Sequence, residues 1–315
     1  MSIGPHRNAA PAGRWRAALV HAWQRWAAAD AGGAGTAGAA AALVPGAPAG
    51  AGSHGALALA WASRAGPHHL NQDCAGACWR PPEAGGGVAL AVADGVTHGA
   101  AGDVAALALV QHWLAGPAPG QGVQQFLLAA EPAVAAALRQ HTPEPGAATG
   151  AACWLQADGT GWATRVGDCR LLRAVPPLAG AGAEIWQVQP LLPDQTHALV
   201  YPELHIATAD TDAAQQPARM VGCGSLGKPE WVQVALGPGD LLLLGSDGLH
   251  AVLLPQDWAT VLQRHLGAGT TAPAATLKAL ANDLLQTAVA RGSDDDITVL
   301  ALLRSAAQQP PAKGP

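Results

Sequence analysis

The order of its predicted elements constrains the fold of this chain more than any other feature of the sequence. Apolar segments of strand length run consecutively, and helical patterns occur in two pairs, one after the second strand and one near the C-terminal end. A parallel α/β sheet would instead alternate its strands with single helices. The order predicts an α+β fold, which two antiparallel sheets stacked face to face with helices outside would satisfy.

The bounds of the elements follow from apolar periodicity and turn residues. Strands are predicted at 56–63, 87–93, 149–156, 161–166, 170–174, 231–236, 241–245 and 296–303. Helices are predicted at 99–115, 121–141, 255–266 and 272–291. The chain therefore divides into an N-terminal helix (13–30) and Ala/Gly/Pro-rich linker within residues 1–53, a domain over 54–304 with a weakly patterned segment at about 176–230, and a disordered polar tail, 305–315.

Charge, hydropathy and cysteine content exclude several classes of function. The formal net charge is -5 and Lys and Arg do not cluster, which disfavours a nucleic-acid surface. Apolar stretches end well short of the roughly 20 residues that span a bilayer, and no secretory signal is recognisable. Five irregularly spaced cysteines make no disulfide framework. We expect a cytoplasmic monomer with reduced thiols that binds neither membrane nor nucleic acid.

Aspartates stand where predicted strands meet loops. Asp94 follows the strand GVALAVA, Asp247 follows DLLLLGS, and Asp295 stands just before DITVLALL. Asp168 and Asp73 occupy comparable loops in VGDCR and NQD. Each of them alone could belong to an ordinary turn or a solvated loop. As a set they favour a cation site, because carboxylates brought together repel each other unless a cation neutralises them.

The chemistry of such a site would suit phosphate esters. Hard divalent cations prefer oxygen ligands, and two ions roughly 3.5–4 Å apart can hold a hydroxide between them and clamp a phosphoryl group. Gly95 and Gly248 directly follow two of the acids, where the lack of a side chain would let backbone carbonyls or substrate come close.

Six motifs carry a resemblance to a known family. In chain order they are NQD, VADGVTHGAAGD, ATGAAC, VGDCRLLR, LLLLGSDGL and GSDDDITV. Over roughly residues 54–304 this series resembles the metal-dependent protein phosphatases of type 2C (PPM). The resemblance implies a four-layer αββα sandwich of two antiparallel sheets flanked by helix pairs. It also implies a bacterial serine/threonine phosphatase with two Mn²⁺ or Mg²⁺ ions, phosphorylated protein substrates and a cognate kinase system.

The resemblance implies a role for the acids at the two ions. Asp94 would bridge both ions, and the carbonyl of Gly95 would bind the second. Asp247 and Asp295 would bind the first ion. A hydroxide held between the ions would attack phosphorus directly, so no phosphoenzyme would form and no protein base would be required.

The remaining acids take outer roles by the same resemblance. Asp168 would bind a weaker third ion that it shares with Asp247, and Asp73 would hold metal-bound waters. Asp296 would stand where the family has an asparagine, which leaves Asp294 solvated, although a register shifted by one residue stays open.

Three positions mark departures from the family. His68 stands where an arginine usually holds the substrate phosphate, and histidine cannot form the bidentate fork of arginine. Arg64 lies slightly upstream and could substitute, while ordinary loop histidines are the alternative interpretation of His68. Gln72 replaces a glutamate and removes one charge near the second ion. His98, in the loop after Asp94, could protonate the leaving oxygen.

Two interpretations besides an active phosphatase stay open. His68 and Gln72 are compatible with a catalytically weak or inactive phosphatase fold that binds phosphoproteins as a regulator. The three mutually repelling aspartates favour activity, because an inactive site would have no need to keep them. A third interpretation is a phosphatase whose N-terminal helix recruits it to a partner.

Overall fold

The computed structural model describes residues 49–67, 70–80, 86–96, 101–118, 120–177, 185–202, 214–267 and 271–305. The helix predicted at 13–30, most of the predicted linker and residues 306–315 of the tail lie outside these ranges. Between the two ends, the described residues form strands and helices that surround the aspartates.

Two antiparallel sheets form the centre of the fold. The first sheet has the order β1 (Ala49–His54), β2 (Leu57–Arg64), β11 (Ile297–Arg304), β10 (Leu241–Gly245), β7 (Arg170–Val175) and β8 (Gln187–Pro190). The second has the order β3 (Cys74–Trp79), β4 (Val88–Gly95), β5 (Ala148–Leu155), β6 (Thr160–Val166) and β9 (Glu230–Ala235).

Helices cover the outer face of each sheet. Against the second sheet pack α1 (Gly102–Ala115), α2 (Val123–Leu128) and α3 (Ala130–His141). Against the first sheet pack α6 (Pro255–Leu266) and α7 (Ala274–Ala290). Short helices in the connections include α4 (His197–Val200) and α5 (Asp247–His250), each of a single turn.

The alternation of side chains along β4 shows how the layers are separated. Val88, Leu90 and Val92 lie in the core between the sheets, whereas the alanines at 89, 91 and 93 face the helices. Three distinct apolar cores result, one between the sheets and one under each group of helices. The α+β class and the four-layer αββα arrangement are therefore confirmed.

Three strands were not predicted from the sequence, for one shared reason. The segments AGAGSH of β1, CAGACW of β3 and QVQP of β8 contain small or polar residues in place of an alternating β-branched pattern. They are strands because a neighbour pairs with them in register, as when His54 pairs with Leu57 of β2. The first sheet consequently begins at Ala49, inside the segment predicted to be linker.

The single helix predicted at 121–141 is wrong. The structure has two helices, with Ala129 between Leu128 and Ala130. Pro132 gives the physical reason, because it has no N–H to donate to the Leu128 carbonyl four residues earlier. A proline is tolerated in the first turn of a new helix, and that is where Pro132 stands in α3.

Candidate active site

Strand alternation places polar side chains at one end of the space between the sheets. On β4 the face that carries Val92 carries Asp94 two residues later. The same count puts Ser246 just after β10, Thr298 near the start of β11, and Asp73 just before β3 on the inner faces of their strands. Apolar filling thus gives way to carboxyls and hydroxyls at the same end of both sheets.

Antiparallel pairing explains why distant parts of the chain meet there. Gly245, at the end of β10, is in register with Val299 of β11 and with Arg170 of β7. Asp247 therefore lies beside the loop that contains Asp295 and the turn that contains Asp168. In the second sheet, Asp94 is in register with Thr149 of β5.

A hydrogen-bonded chain connects the two sheets at this end. The Ser246 hydroxyl donates to Asp73 Oδ2 at 2.7 Å and accepts from the Thr298 amide at 2.9 Å. The Thr298 and Ser63 hydroxyls are 2.7 Å apart, and Asn71 Nδ2 donates to Ser63 Oγ at 2.8 Å. Because each strand end holds the next, the carboxyl of Asp73 is rigidly oriented.

The carboxyls of Asp73, which is buried, and of Asp94, which is half-buried, lack enough compensating charge. Burial raises the pKa of Asp94 well above its ordinary value, and the negative charges of Asp247, Asp73, Asp168 and Asp295 raise it further. Burial likewise raises the pKa of Asp73, although hydrogen bonds from Thr298 and Ser246 oppose the rise. All five predicted acids are therefore close enough to Asp94 or to each other to interact.

Asp168 and Asp247 show the same electrostatic pattern. Burial raises the pKa of Asp168 to about 6, and burial with the charge of Asp168 raises the pKa of Asp247 to about 7. One buried carboxylate oxygen of each, and Oδ1 of Asp73, has no hydrogen-bond partner among the described residues. Unpaired buried oxygens of this kind are costly unless something else neutralises them.

A hard divalent cation suits this set of donors. All five acids offer carboxylate oxygens, which Mn²⁺ and Mg²⁺ prefer, and a cation would favour the ionised forms that burial disfavours. Within the described ranges, no three His, Cys, Asp or Glu side chains already converge into an ion cage. The observations that fit a cation are the orphaned oxygens and the raised pKa values.

Comparison with known proteins adds independent evidence about the fold. Residues 203–305 match the sequence profile of stage II sporulation protein E (SpoIIE), about a third of the chain. No curated protein sequence gives a significant match. Among solved structures, the Mycobacterium tuberculosis serine/threonine phosphatase PstP/Ppp superposes with a TM-score of 0.58 at 21% identity, covering 79% of this chain and 99% of PstP/Ppp.

Two further structures repeat the result. The PPM Ser-Thr phosphatase MsPP from Mycobacterium smegmatis has a TM-score of 0.57 at 22% identity, covering 79% of this chain and 98% of MsPP. The catalytic domain of PstP in complex with two manganese ions has a TM-score of 0.55 at 21% identity, covering 79% and 99%. The chain has the PPM phosphatase fold. The resemblance drawn from the six motifs is confirmed at this level.

Within the PPM fold, Asp296 has a structural task that its sequence position does not reveal. It is 2% exposed, and its Oδ1 and Oδ2 accept the amides of Gly66 and Gln72 at 2.8 and 2.5 Å. An asparagine in the same position would have a donor NH₂ in place of one of these oxygens, and that NH₂ would face one of the two amide N–H groups. Asp294 is exposed and Asp295 is half-buried, which agrees with the assignment that leaves Asp294 solvated.

Asp296→Asn is therefore expected to destabilise the protein by about 1–3 kcal/mol, because one half-buried amide loses its acceptor. Urea unfolding measures the free energy. Asp294→Asn makes the same chemical change at an exposed site and is expected to stay within about 0.5 kcal/mol of the wild type. Equal free energies of unfolding for the two variants would contradict the role of Asp296 as the acceptor of both amides.

Gly95 and Gly248 are required by close backbone approach. A Cβ on Gly95 would collide with the Gly102 carbonyl at the start of α1, and one on Gly248 would collide with the Asp296 carbonyl oxygen. The two glycines thus let α1 and the loop before β11 pack against the strand ends that carry the aspartates.

His250 was missed by the sequence analysis. It is buried on α5, three residues after Asp247, and its Nε2 lies 2.9 Å from the Asp168 carbonyl oxygen. Burial lowers the pKa of His250 to about 3, so the ring is neutral at physiological pH and Nε2–H is the donor. The only signal in the sequence is a histidine shortly after an Asp-Gly pair, which by itself is too weak to assign a role.

The predicted phosphate-handling residues are placed unequally. Arg64 is exposed at the end of β2, on the face of that strand that carries Ala60 and Ala62 toward the helices. His68 and His98 lie outside the described residues. Gln72 is close to the site, and its Oε1 is buried with no partner among the described residues.

Proposed function

We propose that this chain is a metal-dependent serine/threonine protein phosphatase that hydrolyses phosphoserine and phosphothreonine esters directly with water. The observation that carries the proposal is the group of buried and half-buried, mutually repelling carboxyls at one end of a PPM fold, with orphaned buried oxygens on Asp73, Asp168 and Asp247. A hydrolase that needed no cation would gain nothing from this costly arrangement.

The residues would divide the work as follows. Asp94, Asp247 and Asp295 would hold two Mn²⁺ or Mg²⁺ ions with the Gly95 carbonyl, and Asp168 would hold a third. Such ions, when bound, lower the pKa of water and neutralise the charge on phosphate. Asp73, fixed by Ser246, would orient water through its free Oδ1.

The same proposal names the partners. Phosphorylated proteins are the substrates, and a serine/threonine kinase system supplies them, as the resemblance implies. The described residues include no helix long and apolar enough to cross a membrane. Monomeric state and cytoplasmic location stay predictions.

Metal-dependent turnover tests the proposal. Purified protein is assayed on p-nitrophenyl phosphate and on a phosphothreonine peptide with Mn²⁺, with Mg²⁺ and with EDTA, beside a phosphotyrosine version of the same peptide. We expect turnover of the phenyl ester and the phosphothreonine peptide with either metal, its loss in EDTA, and slower release from phosphotyrosine. Folded protein that turns over neither phosphothreonine nor the phenyl ester with any metal would refute catalysis and favour the phosphoprotein-binding regulator.

A further inference from the structure

The turn between β6 and β7, which carries Asp168, is held by its backbone from several sides. The Gly167 amide donates to Gln195 Oε1 at 3.0 Å, and the Gly167 carbonyl accepts from the Gln195 amide at 3.0 Å. Arg165 Nη2 also donates to the Gly167 carbonyl at 2.9 Å, and His250 donates to the next carbonyl, that of Asp168. Gln195 therefore forms hydrogen bonds to both the amide and the carbonyl of Gly167.

The backbone of this turn also has little freedom to take up another conformation. Gly167 has φ +82°, a conformation that residues with side chains rarely adopt. An added Cβ would lie 2.5 Å from Thr149 Cγ2 and 2.9 Å from the Arg219 carbonyl oxygen. The turn is thus enclosed by β5 on one side and by the segment before β9 on the other, with Gln195 as its polar anchor.

Gln195 also connects the turn to the long segment between β8 and β9. Residues 194–197 and 216–219, here called the leg pair, run side by side. The Ala218 amide donates to the Gln195 carbonyl at 2.8 Å, and the His197 amide donates to the Gln216 carbonyl at 3.0 Å. Gln195 belongs to the leg pair and also hydrogen-bonds to Gly167 in the turn. A displacement of the leg pair would therefore move the turn through that residue.

A buried ion pair secures the same base. Asp194 accepts from Arg165 at 2.7 Å and from Arg170 at 2.6 Å, and those two arginines flank the turn on β6 and β7. Gln195 is 6% exposed, so water does not compete for its hydrogen bonds. The links from the leg pair to the turn through Gln195 and Arg165 are therefore largely shielded from water.

We infer that Gln195 is a positioning residue for Asp168. Through Gln195, the leg pair orients the Asp168 carboxylate toward its cation. The inference rests on the proposed function, since it concerns the weakest of the proposed metal sites. Hydrogen bonds that orient a metal ligand typically change metal affinity by about 10- to 100-fold.

Mn²⁺ binding to the full chain tests the inference, with electron paramagnetic resonance used to count free ion. Gln195→Met keeps the side-chain length and removes the acceptor. We expect it to weaken the lowest-affinity Mn²⁺ by about tenfold and to leave tighter ions unchanged. Gln195→Glu, which keeps an acceptor oxygen for the Gly167 amide, is expected to recover most of the affinity. Gln233→Met, the same change at an exposed position on β9, is the matched control.

The outcomes separate this inference from the proposed function. Wild-type protein that binds no Mn²⁺ would overturn both. Wild-type protein that binds Mn²⁺, with an Asp168→Asn variant that loses the weakest ion and a Gln195→Met variant that does not, would overturn the role of Gln195 alone. Should Gln195→Met fail to fold, hydrogen exchange in the wild type decides. A Gly167 amide protected from exchange supports the anchor, and one that exchanges at the rate of an open loop refutes it.

Discussion

Asp94→Asn is expected to abolish turnover of p-nitrophenyl phosphate in Mn²⁺, lowering kcat by on the order of 10³-fold. The metal-derived stabilisation of a phosphoryl transition state amounts to several kcal/mol, and about 4 kcal/mol corresponds to about 10³ in rate. Burial is the largest cause of the raised pKa of Asp94, and the charges of the other four carboxylates raise that pKa further. Asp94 is therefore the centre of the group, and an amide there removes one charge without changing the shape.

A second readout distinguishes loss of metal from loss of folding. At a Mn²⁺ concentration of about 100 times its Kd, a site confined to the native state adds about 2.7 kcal/mol of stability. We expect Mn²⁺ to raise the melting temperature of the wild type and of Asp294→Asn, whose carboxyl is exposed. Asp94→Asn should melt normally without metal and gain little from it. Full activity and a full Mn²⁺ shift in Asp94→Asn would exclude the proposed centre.

Asp194→Ala is expected to destabilise the fold by about 3–5 kcal/mol, the usual result of leaving a buried charge without its partner. The side chain of Arg165 is 0% exposed, and Asp194 is the only carboxylate recorded in an ion pair with it among the described residues. Burial already lowers the pKa of this guanidinium, and the charge of Asp194 opposes the effect. Losing Asp194 would also free Arg170, at the start of β7.

Asp283→Ala is the matched control. Asp283 pairs with Arg264, whose side chain is 58% exposed, and with half-buried His265. Neither partner is a fully buried charge, and ion pairs open to solvent contribute about 0–1 kcal/mol. Urea unfolding of both variants measures the difference. If Asp194→Ala proved no more destabilising than Asp283→Ala, the buried pair would not hold the base of the leg pair.

The same structure bears on the alternative of an inactive binding module. Such a module needs a surface that recognises phosphate, but it does not need five interacting acids at one end of the sandwich. The acids are costly in a protein without a cation, because burial raises the pKa of Asp94, Asp73, Asp168 and Asp247 alike. The physical arrangement therefore favours catalysis, and turnover in Mn²⁺ is the measurement that decides.

Local pattern determined much of this protein. Apolar segments of strand length predicted β4, β10 and β11 to within one or two residues, since those strands bury both faces. The motifs around Asp94, Asp168 and Asp247 were legible because strand ends with Asp-Gly or Gly-Asp pairs are local features. The order of strands and helix pairs was enough for the fold class, because few layer arrangements satisfy it.

Only the tertiary structure decided the remaining features, because they depend on partners far away in the sequence. β1, β3 and β8 have weak patterns of their own and become strands through pairing with β2, β4 and β7. The hydrogen bond from the Gly66 amide to Asp296 joins residues 230 apart in the sequence, and the contact of His250 with Asp168 joins residues 82 apart. The grip of Gln195 on Gly167 is likewise visible only once the leg pair has folded against the turn. Sequence periodicity records which face of an element is buried, but the hydrogen bonds that aim a carboxylate depend on how those faces meet.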